Sequence, residues 1–318
     1  MIIQYYGRRI GKTPFELVKD EKATTGMLIK ICQDHGMGYP TESDLKNVRT
    51  LITYIKNMML NEEELQKLEE ESDIRIAGIY REYCRQMREQ KLMDYDDQML
   101  YAYNILRKDP GVLAYFQNRY PYICVDEAQD TSKIQHAIIA LLAAGTGNLF
   151  MVGDVKQSIY RFRLSRPELF MGKYNSYSTQ ESSRQRIDLD RNFRSRGEVL
   201  DSTNYIFRKL MRKEFGEIIY DDKAALHLGA SFPELPDENV FTDQTELLLY
   251  NQTGLRSSEA REEEARMIAQ RMKELLSTGV VLDKGTGEYR PVHYRDMVIL
   301  TRSLQGWAEV FASILAEE

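Results

Sequence analysis

The chain has 318 residues, with 43 Lys and Arg against 49 Asp and Glu, which gives a formal charge of −6 at pH 7. No apolar run approaches the roughly 18 residues that a membrane span needs, and the N-terminus lacks the pattern of a secretory signal. The three cysteines form no CxxC pair, which argues against a disulfide framework or a zinc site. We therefore expect a cytoplasmic protein of about two domains, in which any binding of nucleic acid depends on local basic patches.

Residues 1–92 have the spacing of amphipathic helices. Apolar side chains recur three and four positions apart from Leu51 to Met59 and from Ile79 to Met87. Asn61, followed by three glutamates, is typical of a helix start, because its side chain and the acidic residues satisfy the free amides of the first turn. Almost nothing here alternates like a strand, so an all-helical subdomain is predicted.

The pattern changes near residue 93, where helices begin to alternate with short apolar runs. A helix is predicted at about 98–106, and another at about 132–143 lies between the runs Tyr122–Val125 and Leu149–Val152. Strand, helix and strand at this spacing predict a βαβ unit, whose parallel strands are expected to be buried on both faces. The fold class predicted for the chain is therefore α/β.

Strands and helices continue to alternate in the second half. The predicted strands are Ile187–Leu189, Glu246–Tyr250 and Met297–Leu300, and the predicted helices are 197–211, 258–276 and 306–316. The segments 227–243 and 277–291, which contain prolines or several glycines, are predicted to be surface connections. No closing element follows the last helix, so the chain is expected to stop within a domain.

The first candidate site follows the run Tyr122–Val125, which ends in Asp126 and Glu127. This is the Walker B arrangement, and ligands of open α/β sheets bind at the carboxyl ends of the strands. An Asp there can hold Mg²⁺, and an adjacent Glu can polarise the water that attacks a γ-phosphate. A strand that ends in a solvated acidic turn has the same pattern, so this motif alone leaves both interpretations open.

The second candidate site is GDVKQSIYRFR at residues 153–163, directly after the next apolar run. Gln157 can contact a phosphate or its attacking water without adding charge. Rings and cations alternate at Tyr160, Arg161, Phe162 and Arg163. Such a composition suits stacking on bases and contact with phosphates of a single strand, although the rings could instead be core residues beneath a solvated arginine face.

The third candidate site is NFRS at residues 192–195, just before a predicted helix. Arg194 beside the planar ring of Phe193 suits bidentate contact with a phosphate and stacking on a flat base. An ordinary helix start with exposed arginines would have the same sequence.

DEAQD, GDVKQSIYRFR and NFRS, in this order, resemble motifs II, III and IV of the superfamily 1 UvrD/Rep/PcrA-like DNA helicases. The run MDYDDQML at residues 93–100 resembles the short acidic motif ahead of motif II. Up to about residue 150 the chain resembles a compact UvrD-type helicase. From GDVKQSIYRFRLSRPELF onward it is more similar to the helicase–nuclease subunit of the AddA type.

The resemblance implies partial RecA-like domains of the P-loop NTPase type, with parallel sheets and an inserted helical subdomain. Residues 1–92 would form a 1B-like subdomain, residues 93–180 the C-terminal part of domain 1A, and residues 181–318 the start of domain 2A. The implied activity is ATP-driven 3′→5′ movement on single-stranded DNA with duplex unwinding, in DNA repair or recombination. ATP and Mg²⁺ would be the cofactors, and single-stranded DNA, duplex junctions and a second helicase or nuclease subunit the partners, with no membrane.

The resemblance also implies roles for individual residues. Asp126 would coordinate Mg²⁺, Glu127 would orient the attacking water, and Gln157 would sense the γ-phosphate. Phe193 would stack on adenine, and Arg194 would act as an arginine finger. The residues expected to contact DNA are Tyr160, Arg161, Phe162 and Arg163.

The sequence contains no Walker A pattern GxxxxGK[ST]. In the segment that ends in Gly11-Lys12-Thr13, only three residues follow Gly7 before Gly11, and the short apolar lead cannot form a buried central strand. We predict a basic surface loop there. Motifs V and VI are also missing, so a helicase fragment is expected that hydrolyses ATP at background rate by itself. The alternative is a non-catalytic single-stranded DNA-binding or partner-docking module.

Overall fold

A computed structural model describes residues 1–20, 22–158, 164–212, 214, 219–235 and 244–317. The chain divides into two compact units, Met1–Ile187 and Asp188–Glu318. Both combine helices with short strand pairs, in agreement with the predicted α/β class. None of the helices in the described ranges has the length and apolar character that a membrane crossing requires.

The first part of unit 1 is helical. Its helices are α1 (Ile2–Arg9), α2 (Lys22–Asp34), α3 (Glu42–Met58), α4 (Glu62–Ser72) and α5 (Ile76–Glu89). The predicted helix start at Asn61 is confirmed: its side chain accepts a hydrogen bond from the Glu64 backbone N–H at 3.0 Å, and its own N–H donates to the Glu64 carboxylate at 2.9 Å. The apolar stripes of α2, α3 and α5 meet in one core, where Leu28 and Ile79 are fully buried.

A short pair of parallel strands lies at the edges of this helical region, where almost no strand was predicted. β1 (Glu16–Leu17) lies beside β2 (Leu92–Met93). Two residues are too few to show an alternating pattern, and more than 70 residues separate the two strands in the sequence. No local sequence pattern therefore predicts this pair.

The predicted βαβ unit is confirmed. Its elements and their neighbours are α6 (Tyr95–Lys108), α7 (Pro110–Arg119), β3 (Ile123–Val125), α8 (Lys133–Ala143), β4 (Leu149–Met151) and α9 (Pro167–Ser176). β3 and β4 run parallel, with Ile123 opposite Leu149 and Val125 opposite Met151. Their carboxyl ends therefore meet at one edge.

The expectation that these strands are buried on both faces is wrong for the described residues. Cys124 is exposed, and Phe150, its neighbour on β4, is 59% exposed. A parallel sheet is buried when helices cover both of its faces. Here the sheet has two strands, and this face remains open within the described part of unit 1.

Unit 2 also combines short strand pairs with helices. Its elements are β5 (Arg191–Asn192), α10 (Gly197–Leu210), β6 (His227–Leu228), α11 (Ser257–Thr278), β7 (Val280–Leu282), β8 (Tyr289–Pro291) and α12 (Ala308–Glu317). β5 and β6 pair in parallel, and β7 and β8 pair antiparallel. α10, α11 and α12 confirm the three helices predicted in this half.

Several predictions for unit 2 are wrong. Ile187–Leu189, Glu246–Tyr250 and Met297–Leu300 are not strands in the structure, and Leu247 and Leu300 are 81% and 88% exposed. A strand gains its hydrogen bonds from a neighbour, and these segments have no strand partner among the described residues. The connection predicted at 277–291 instead holds the hairpin of β7 and β8.

Candidate functional site

The first motif leaves β3 in a sharp turn. Asp126 and Glu127 are both exposed, and the Glu127 backbone N–H donates to Asp126 Oδ1 at 3.0 Å. Glu127 has φ 49°, in the left-handed region that non-glycine residues rarely occupy. The turn leads into a single 3₁₀ turn at Ala128–Asp130 and from there into α8, whose first residue follows the capping Ser132. Backbone strain of this kind is often held at functional sites.

The second motif leaves β4 and is organised by Asp154. Its carboxylate accepts hydrogen bonds from the Lys156 backbone N–H at 3.0 Å and from Gln157 Nε2 at 3.1 Å. Lys156 Nζ lies 2.9 Å from Asp154 Oδ1. The exposed Gln157 is therefore held beside a carboxylate at the end of β4.

Gln129 joins the two motifs. Its Nε2 donates to Glu127 Oε2 at 2.6 Å, and its Oε1 accepts from the Asp154 backbone N–H at 3.0 Å. The structure thus brings Glu127, Asp154 and Gln157 into one hydrogen-bonded group. Sequence analysis missed Gln129; the available signal was an uncharged amide between acidic residues immediately after a strand.

Asp130 lies beside this group, where burial and a neighbouring carboxylate disfavour its negative charge. Burial raises the pKa of Asp130, and the nearby Glu127 carboxylate raises it further, against a weaker lowering effect of the hydrogen bond from Gln129. Asp130 Oδ1 is buried with no hydrogen-bond partner in the described structure. The ionised form of Asp130 is therefore unfavourable in the folded state.

The acidic run at 93–100 contacts the helical region rather than the strand ends. Lys56 of α3, whose side chain is fully buried, lies 2.6 Å from Asp94 Oδ2 and 2.7 Å from Asp97 Oδ1. Asp94 also caps α6 by accepting from the Asp97 backbone N–H at 2.7 Å. Burial opposes the charge of Lys56, but the two carboxylates outweigh it and raise the Lys56 pKa. This run therefore ties α6 to α3.

The basic surface loop predicted at Gly11-Lys12-Thr13 is confirmed for these three residues, which are exposed and lie outside any helix or strand. The part of the segment before them is instead helix, since α1 covers Ile2–Arg9. Gly7 is buried in α1, and a Cβ there would lie 2.7 Å from the Lys12 carbonyl oxygen. In a Walker A loop the lysine precedes the helix, so the order of elements is reversed here.

The remaining predicted site residues lie apart from this group. Phe193 and Arg194 belong to unit 2, where both are exposed and the Asn192 side chain accepts from the Arg194 N–H at 2.9 Å. The residues predicted to contact DNA, Tyr160, Arg161, Phe162 and Arg163, lie outside the described residues. Among the described residues, no cluster of three or more His, Cys, Asp or Glu side chains suits a metal ion.

Comparison with known proteins identifies the family. A sequence model of the UvrD/REP helicase N-terminal domain matches residues 1–178. The chain belongs to this family. The predicted resemblance to UvrD-like helicases is confirmed, and the motifs at Asp126 and Gln157 lie within the matched range.

Curated relatives confirm the second resemblance. They are AddA-type proteins, named as a subunit of the ATP-dependent helicase/nuclease, and are similar over much of the chain: 39% identical over 248 residues in Alkaliphilus oremlandii and 42% over 253 residues in Bacillus cereus. These matches cover 76% and 74% of this chain but 20% of each relative. The chain thus spans about a fifth of the length of the relatives it matches.

Proposed function

We propose that the chain forms the Walker B and phosphate-sensing part of an ATP-dependent 3′→5′ DNA helicase of the UvrD-like family, acting in DNA repair or recombination. The observation that carries this proposal is the meeting of two motifs at one sheet edge, where Gln129 links Glu127 to the turn of Asp154 and Gln157. Parallel strands bind ligands at this edge.

The proposed roles follow from the chemistry of each side chain. The exposed Asp126 carboxylate supplies oxygen to Mg²⁺, as this hard cation prefers, and Glu127 orients the water that attacks the γ-phosphate. Gln157 senses that phosphate with a neutral amide. In unit 2, Phe193 stacks on adenine and Arg194 stabilises the transition-state charge. The DNA contacts proposed are Tyr160, Arg161, Phe162 and Arg163.

The proposed domains are a 1B-like subdomain at 1–92, part of domain 1A at 93–180 and the start of domain 2A at 181–318. Because the 318 residues contain no Walker A pattern, turnover requires a phosphate-binding lysine from outside this sequence. A helicase or nuclease subunit is a suitable partner, since the relatives carry both words in their names. Single-stranded DNA and duplex junctions are the proposed substrates.

A second candidate function is a non-catalytic module that binds single-stranded DNA or docks a partner. One observation favours it: α1 ends before Lys12, so the single Gly-Lys-Thr of the chain is not built as a phosphate loop. In this case Asp126 and Glu127 would keep their places in the family fold but take no part in ATP hydrolysis.

ATP hydrolysis stimulated by DNA separates the two functions. The chain is assayed alone and with a second polypeptide that contains a Walker A loop, using single-stranded oligonucleotides. We expect hydrolysis at background rate for the chain alone and DNA-dependent turnover in the mixture. Glu127→Gln is expected to lower the turnover of the mixture by a factor of about 10² or more. The control Glu63→Gln, at an exposed glutamate of α4, is expected to leave it unchanged. Salt-sensitive oligonucleotide binding without turnover in the mixture would support the non-catalytic module instead.

A further inference from the structure

Gln129 is a polar residue with no exposed surface, and it directly follows a turn in which Asp126 and Glu127 are exposed. A buried amide is costly unless its donors and acceptor are satisfied. Both ends of Gln129 are occupied: Nε2 faces Glu127 Oε2 at 2.6 Å and, more weakly, Asp130 Oδ2 at 3.4 Å, and Oε1 faces the Asp154 backbone N–H at 3.0 Å. The side chain therefore spans from the end of β3 to the end of β4.

Gly153 shows how closely Gln129 fits between these ends. A Cβ on Gly153 would lie 2.5 Å from Gln129 Oε1 and 3.2 Å from the Ala128 backbone nitrogen. The φ of Gly153 is not in the left-handed region, so glycine is needed here for space rather than for backbone conformation. Gln129 therefore has little freedom to move away from the Asp154 N–H.

We propose that Gln129 is a positioning residue that couples the Glu127 carboxylate to the Asp154–Gln157 turn. Glu127 is exposed, and the amide of Gln129 holds one of its oxygens in a defined place. Asp154 is fixed at its N–H by Gln129 and at its carboxylate by Lys156 and Gln157. A displacement of Gln157 toward a phosphate is thus transmitted through Asp154 and Gln129 to Glu127. The catalytic consequence rests on the proposed function; the coupling itself does not.

The chain offers a matched control for a purely structural role. Gln117 of α7 also packs its amide against a glycine, since a Cβ on Gly145 would lie 2.7 Å from Gln117 Cδ. Its Nε2 donates to the Leu141 carbonyl oxygen at 2.9 Å. Gln117→Met therefore removes a partly buried amide with similar contacts without touching either motif.

Nuclear magnetic resonance of the full chain tests the coupling through the backbone amide of Asp154. Glu127→Ala is expected to shift the Asp154 resonance in the wild-type background and in Gln117→Met. In the Gln129→Met background the same substitution is expected to shift it less, because the side-chain link is gone and only the backbone bond from the Ala128 N–H to the Val152 carbonyl oxygen still joins the two strand ends. An Asp154 shift of equal size in both Gln129 backgrounds, or none in the wild type, would overturn the proposal.

Gly153→Ala provides a second route to the same contact if Gln129→Met does not fold. The added methyl group displaces Gln129 Oε1, so the response of Asp154 to Glu127→Ala is expected to fall. The control Gly145→Ala is expected to preserve that response. A preserved response in Gly153→Ala contradicts the proposal.

In the mixture that hydrolyses ATP, Gln129→Met should lower kcat roughly tenfold with little change in KM. Coupling at Asp154 without any turnover would refute the proposed function and leave the positioning role intact.

Discussion

Lys56 holds a buried positive charge between two carboxylates at the start of α6. Residues 56 and 94 are 38 positions apart, and the contact between them joins two helices. A buried ion pair gains little over apolar packing, but removal of one partner leaves an uncompensated charge. The loss of Lys56 would leave Asp94 and Asp97 facing each other without a cation.

Lys56→Met is expected to lower the free energy of unfolding by about 3–5 kcal/mol, because two carboxylates remain in a partly buried site. Lys46→Met, at an exposed position of the same helix α3, should change it by less than about 0.5 kcal/mol. Urea unfolding followed by circular dichroism measures both. Equal stabilities of the two variants would show that the pair contributes nothing to folding.

Asp130→Asn is expected to stabilise the chain at pH 7. The folded-state pKa of Asp130 is raised by burial and by Glu127, so its ionised form disfavours the folded state. That penalty is absent below the unfolded pKa of about 3.9 and grows as the pH rises through the folded value. Unfolding free energies of Asp130→Asn and wild type should therefore converge near pH 4, whereas exposed Asp201→Asn should track the wild type. A less stable Asp130→Asn variant at pH 7 would contradict this.

Strand-like segments without a strand partner are the main feature at the scale of elements. Leu247, Val298 and Leu300 are 81%, 79% and 88% exposed, although their segments have the composition of buried strands. The open face of β3 and β4 shows the same property. These side chains therefore lie outside the hydrophobic cores of the described residues.

Leu300→Lys is expected to change the free energy of unfolding of this chain by less than about 0.5 kcal/mol, because the Leu300 side chain is 88% exposed and buries little apolar surface. Ile314→Ala, in the core where α11 and α12 meet, should cost about 2–5 kcal/mol. Thermal or urea unfolding of the two variants makes the comparison. A large loss for Leu300→Lys would mean that 297–300 packs as a strand in solution.

At the scale of the whole molecule, the proposed reaction involves both compact units. The proposed Mg²⁺ ligand and water-orienting residue belong to Met1–Ile187, and the proposed arginine finger belongs to Asp188–Glu318. A ligand shifts an equilibrium between two conformations only by the difference in its affinity for them. We therefore expect the contribution of Arg194 to depend on a bound nucleotide.

Arg194→Ala is expected to leave folding stability and oligonucleotide affinity nearly unchanged in the chain alone, since the side chain is exposed. In the mixture that hydrolyses ATP, the same substitution should reduce turnover by roughly 10³-fold if the arginine stabilises the transition state. Exposed Arg191→Ala is the neighbouring control. Full turnover in Arg194→Ala would remove this residue from the proposed mechanism.

The sequence by itself determined most of the described helices, the βαβ unit and the order of the motifs. Helical hydrogen bonds form within one segment, so apolar spacing and the cap at Asn61 were enough to locate α4, and the runs around β3 and β4 were long enough to mark two strands. The positions of Asp126 and Glu127 at a strand end follow from the same pattern.

Only the tertiary structure decided how buried polar groups pair and which apolar runs become strands. Gln129 reaches Asp154 across 25 residues and Lys56 reaches Asp94 across 38, distances over which no local pattern operates. Glu246–Tyr250 and Met297–Leu300 have the composition of strands but no strand partner among the described residues. The physical reason is that strands and buried amides obtain their hydrogen bonds from distant parts of the chain, whereas a helix obtains them from its own.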